Sequence, residues 1–100
     1  MSERYWSDAV RLYSDGCFEV LWGRWQNDKN KCLGIHWLKT EESYPCPMLY
    51  GGELGWLVVP EFLTLSILKD ILVRSTADHA CGMVDAIVDA MREYVEQSSK

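Results

Sequence analysis

Four cysteines, at positions 17, 32, 46 and 81, and two histidines, at 36 and 79, are the side chains here best suited to metal or thiol chemistry. Cys32, His36, His79 and Cys81 together make a Cys2His2 set, the donor types of a zinc site. Their spacing works against it. Cys32 and His36 lie four apart on a strand-like run, roughly 13 Å from Cα to Cα, whereas zinc ligands from one element usually bracket a turn, as in C-x2-C. His79 and Cys81 supply only half a site, so no metal or other cofactor is expected. A thiol nucleophile has two candidates: Cys46, set between Pro45 and Pro47, and Cys81, near a helix start, where thiols become more acidic. The sequence fixes no histidine and carboxylate beside either. His79 and Cys81, two apart on a helix, face different ways. The expectation is a protein without catalysis.

Two other constellations point to binding. Asp85, Asp89, Glu93 and Glu96 are spaced four, four and three apart, so they share one helix face, and Asp78 lies seven before Asp85. A solvated outer face is the ordinary explanation of such a stripe; the functional one is a docking strip for a basic protein surface. The second constellation is a glycine window. Cys17–Gln26 and Lys31–Lys39 read as two strands joined by Asn27-Asp28-Lys29-Asn30. Folding them about the loop centre pairs Trp22 with Ile35, Val20 with Trp37 and Gly23 with Gly34. One face is then core. The other has two adjacent positions without side chains, framed by Leu21, Trp25, Cys32 and His36, where a ring or another backbone can approach. Either Trp6 or Tyr13 of the N-terminal segment fills that gap, or the face is an open partner site.

These groups need elements to hold them. Ser2–Tyr13 has a capping serine, Glu3 in the first turn and Trp6, Val10 and Tyr13 at helical spacing, which predicts a short helix. Ser14-Asp15-Gly16 is a turn. Thr40–Gly52 is a long connection carrying Tyr44, Pro45, Cys46, Pro47 and Tyr50. Glu53–Val59 is a third strand, apolar on both faces and therefore expected to be central or covered on both sides. Pro60 and Glu61 open a helix that runs to about Arg74, with Phe62, Leu65, Leu68, Ile71 and Leu72 inward. Ser75-Thr76 is expected to break it. A last helix is predicted over Ala77–Gln97, with Met83, Val84, Ile87, Met91, Tyr94 and Val95 as its apolar stripe. The order α-β-β-β-α-α predicts an α+β domain, a three-stranded antiparallel sheet with helices packed on it.

One hundred residues, 48% of them hydrophobic and five of them tryptophan, suffice for one globular domain. No apolar run reaches the roughly 18 residues that span a bilayer, and Met1–Trp6 lacks the apolar stretch of a secretion signal. Free thiols in a reducing cytoplasm are the expectation that follows. The net charge of −5 is uneven: residues 1–50 carry six Lys/Arg and seven Asp/Glu, and residues 51–100 carry four and eight. This balance argues against direct binding of nucleic acid, which rests on neutralising phosphates, and against an anionic membrane surface. It suits a protein partner with a basic surface.

Glu53-Leu54-Gly55-Trp56-Leu57-Val58-Val59-Pro60-Glu61-Phe62 resembles the fourth strand and following turn of the acetyltransferases that use acetyl-coenzyme A. In that family a strand, a Val-x-Pro-Glu-aromatic turn and a helix follow an antiparallel hairpin. The likeness covers about a tenth of the chain. It implies, as an alternative, a minimal or degenerate acetyltransferase-like enzyme that binds coenzyme A. The chain departs from the family where the pyrophosphate is held: Leu63–Leu68 contains neither glycine nor cation. The leading expectation is a small acidic binding protein that blocks or regulates a macromolecular partner, such as an immunity protein or an inhibitor of a nucleic-acid-handling defence system. Asp85, Asp89 and Glu93 would supply charge, and Tyr44, Tyr50 and Trp25 contact area. A structural homodimer is the third expectation.

Overall fold

The computed structural model describes residues 6–26, 28–38, 46–47, 55–78 and 82–98. Its elements are β1 (Trp6–Ser14), β2 (Phe18–Trp25), β3 (Cys32–Trp37), β4 (Leu57–Val58), α1 (Glu61–Ala77) and α2 (Val84–Ser98). The strands form one antiparallel sheet in the order β1-β2-β3-β4. The front face carries Leu12, Tyr13, Val20, Trp22, Leu33 and Val59 against Leu68 and Ile71 of α1 and Ile87 and Ala90 of α2. The class is α+β, as expected, with four strands rather than three.

The fourth strand is β1, where a helix is expected from spacing. Its pairing with β2 carries two irregularities: Ser7 faces Arg24 but Val10 faces Trp22, and Arg11 faces Leu21 but Tyr13 faces Val20. Each adds one residue to β1, as a β-bulge does. The first includes Asp8 at φ 51°. The second lets the adjacent Leu12 and Tyr13 both enter the front core. The bulges disrupt the strand's two-residue alternation, so that Trp6 on the rear face and Val10 and Tyr13 on the front happen to fall at helical spacing. Residues 2–5 lie outside the described residues. The turn at Asp15-Gly16 is present, joining two strands. The Asp15 carboxylate accepts the backbone N–H groups of Cys17 and Phe18 at 2.9 Å, and Gly16 takes φ 89°.

The central hairpin keeps its predicted faces but not its partners. Trp22 faces Leu33, Val20 faces Ile35, Phe18 faces Trp37 and Gly23 faces Cys32. The register is slipped by two residues, and an even slip leaves each side chain on its face. The far end of the hairpin, where the Asp28 N–H donates to the Trp25 carbonyl at 3.0 Å, is also tied to α2. Gln97 accepts from the Lys31 N–H at 2.8 Å and donates to the Lys31 carbonyl at 3.1 Å.

β4 lies at the sheet edge, not in a central position, and pairs with β3 through Leu57–Ile35 and Val58–Gly34. Pro60 precedes α1 at the cap position, one residue earlier than expected. α1 continues through Ser75 and Thr76, whose hydroxyls are satisfied within the helix by the carbonyls of Ile71 and Val73, at 2.7 and 2.8 Å. The predicted last helix begins later, at Val84. Gly82 instead bridges to Tyr13, and Met83 N–H donates to the Leu12 carbonyl at 3.0 Å.

Candidate functional site

The glycine window on the rear face is closed by the chain itself. A Cβ on Gly34 would stand 2.6 Å from the Trp6 ring, and one on Gly23 would stand 2.8 Å from the Ala9 Cα. The filler is Trp6, as in one of the two expectations, but it arrives on a strand; Tyr13 is in the front core. Trp6 meets Trp25 edge-on at 5.3 Å and Trp56 at 6.4 Å between ring centroids. Trp6, Leu21 and Trp56 form a buried cluster, with Ala9, Trp25 and Cys32 packed against it. Among the described residues, the indole N–H groups of Trp6 and Trp56 have no acceptor. Burial pushes the Cys32 thiol pKa up, which makes it a poor nucleophile.

Beside this cluster lies a pair that the expected register hides. Glu19 and His36 face each other across β2 and β3. His36 is 2% exposed, and its ring stacks on Trp56 at 3.6 Å. Its Nδ1 donates to the Gly55 carbonyl at 2.9 Å, and Nε2 lies 2.7 Å from Glu19 Oε1. Burial acts to raise the Glu19 pKa. Hydrogen bonds from His36 and Ser14 and the nearby Arg11 charge outweigh it and hold the carboxyl below its usual value. A histidine–carboxylate pair is acid–base equipment in the right setting. Here both His36 nitrogens and both Glu19 oxygens are engaged within the chain, so the pair ties β2, β3 and the segment before β4 together.

The stripe on α2 divides by role. Asp85 and Asp89 are exposed, and Asp89 lies 3.8 Å from Arg92. Glu93 turns the other way. Its carboxylate accepts from the Trp22 indole N–H at 3.1 Å and from Lys31 Nζ at 2.8 Å. Burial acts to raise the Glu93 pKa, but those two hydrogen bonds and the Lys31 and Arg24 charges bring it below the usual glutamate value. Glu93 and Gln97 thus anchor α2 to the hairpin.

The helical layer leaves much apolar surface outside. Of the expected inward stripe of α1, Leu68 and Ile71 are buried, with Thr64 and Ser75 beside them, and Leu72 packs against the core, whereas Phe62 faces outward. Phe62 is 81% and Val73 67% exposed. On α2, Ile87 and Ala90 are buried, whereas Met83 and Val95 are exposed. Beside α2 runs a shallow, open groove, lined by Val88, Met91, Arg92, Val95 and Glu96 of α2 and by Leu72 of α1.

Of the remaining predicted groups, Trp25 is half-buried, and Tyr44, Tyr50, His79 and Cys81 lie outside the described residues. Cys46 is exposed. Among the described residues, no three His, Cys, Asp or Glu side chains are grouped to hold a metal ion, and no helix is long and apolar enough to cross a membrane. The turn Val59-Pro60-Glu61 does join a strand to a helix, but residues 61–68 bring no glycine or cation to that turn. No protein-family model matches the chain, and no curated protein or solved structure is significantly similar to it.

Proposed function

We propose that this chain is a non-catalytic protein-binding domain that blocks or regulates a macromolecular partner, and that it does so through the outer surface of its helical layer. The observation that carries this reading is the composition of α1. Its core side is packed, yet Phe62 and Val73 stand almost free on the side away from the sheet. The exposed side of α1 also carries Ser66, Lys69 and Asp70, and the large apolar side chains set among them are what a partner would cover. Asp85 and Asp89 on the neighbouring helix favour a partner with a basic surface. Neutralising a toxin, or inhibiting a nucleic-acid-handling system by covering its basic surface, suits such a domain.

The test is capture of a partner from the native cell extract at rising salt, with the wild type and with Asp85→Lys/Asp89→Lys as baits. A specific partner should be lost at high salt and lost with the variant. Capture indifferent to both, or a salt-insensitive self-dimer with nothing else bound, contradicts this reading.

A further inference from the structure

We propose that the groove beside α2 receives an amphipathic, basic helix of the partner protein. The inference rests on the partner-binding reading and adds the place and the chemistry of the occupant. Helices lodge in apolar grooves by anchors at i, i+3 or i+4, and i+7. The α2 wall offers that repeat: Val88, Met91 and Val95 are spaced three and four apart, and Leu72 faces them from α1. Val88 to Val95 spans about two turns, or roughly 10 Å, which matches two turns of an incoming helix. Met91, unbranched and polarizable, adapts to the shape of what enters.

The charge at the lip selects the sign of the occupant. On α2, Asp85, Asp89 and Glu96 share the outward face beside the groove, with Arg92 as the one cation among them. Asp85 and Asp89, four apart, repel each other, and cationic side chains laid along α2 would relieve that repulsion. The exposed charges of α1 balance: Glu61 and Asp70 against Lys69 and Arg74, with Asp70 and Arg74 paired at 2.9 Å. The preference for positive charge is therefore set on the α2 side, so the entering helix should lay its lysines or arginines over α2.

The experiment uses the full chain, isotopically labelled, and three synthetic peptides of about four turns. One is helical with a leucine stripe at i, i+4 and i+7 and lysines elsewhere; one replaces the lysines by glutamates; one scrambles the first. The first should bind, with the largest NMR shifts at Leu72, Val88, Met91 and Val95. Val95→Asp, at an exposed position, and Asp85→Lys/Asp89→Lys should each weaken it at least about tenfold, with the fold retained and thermal unfolding lowered by about a few degrees in the charge variant, because Asp85 lies in the first turn of α2. Equal binding of the glutamate or scrambled peptide overturns the inference. So do shifts centred on Phe62 and Val73, which leave the partner-binding reading intact. A self-dimer abolished by Val95→Asp likewise overturns it, by assigning the groove to a second copy.

Discussion

Both faces of the sheet carry apolar and aromatic residues, but among the described residues the layers that cover them end differently. Behind the sheet, the glycine window is filled by Trp6, and Trp25, Trp56, His36 and Arg11 build outward from it. In front, two helices cover the core and then present Phe62, Val73, Met83 and Val95 to solvent. Scattered exposed apolar residues need no explanation. The contrast with the rear face does, because there the described residues fill their own gap, whereas on the helical layer they leave large apolar side chains exposed.

That comparison can be broken most forcefully at the rear. Trp6→Ala should cost about 3–5 kcal/mol by opening a cavity beneath β1, measured by denaturant unfolding. Gly34→Ala should cost about 1–3 kcal/mol in the wild type, because the Trp6 ring must move, and clearly less in Trp6→Ala, where the two changes should be non-additive. At the junction of the two layers, Glu93→Ala removes the acceptor of a buried indole N–H and should cost about 1–3 kcal/mol. The acid limb of stability sharpens the same point. Glu19 and Glu93 have folded pKa values below their usual 4.5. The stability they contribute is therefore full above that pH and lost as pH falls through the lower folded values. A Glu19→Gln/Glu93→Gln variant should show a shallower loss between neutral and acid pH than the wild type. The smallest effect belongs to the open surface: Phe62→Ser and Val73→Ser should stay within about 0.5 kcal/mol of the wild type while weakening partner capture.

The legible parts of the fold were those set by side-chain alternation. The hairpin's two faces, the turn at Asp15 and the strand-to-helix passage at Pro60 follow from period and turn chemistry. Three features did not, each for a tertiary reason. β1 looked helical because two bulges disrupt its alternation. The two-residue slip in register goes with a contact no local pattern shows: Gln97, near the other end of the chain, takes both backbone groups of Lys31, which a tighter hairpin would have paired. That slip is also what hid Glu19 opposite His36. Glu93 was read as part of an outward stripe because helical spacing gives a shared face but not its orientation. It turns inward because the buried Trp22 indole needs an acceptor and Lys31 a counter-charge. Asp85 and Asp89, with no such demand on them, remain at the surface.

The central claim is that the helical layer, not the rear face of the sheet, meets the partner. Its most direct test places a photoreactive amino acid in turn at Phe62 and Val88 on the helices and at Val58 on the rear face, with cross-linking in the cell of origin. The expected result is one partner joined from positions 62 and 88 and none from 58. Cross-links confined to position 58 would contradict the claim.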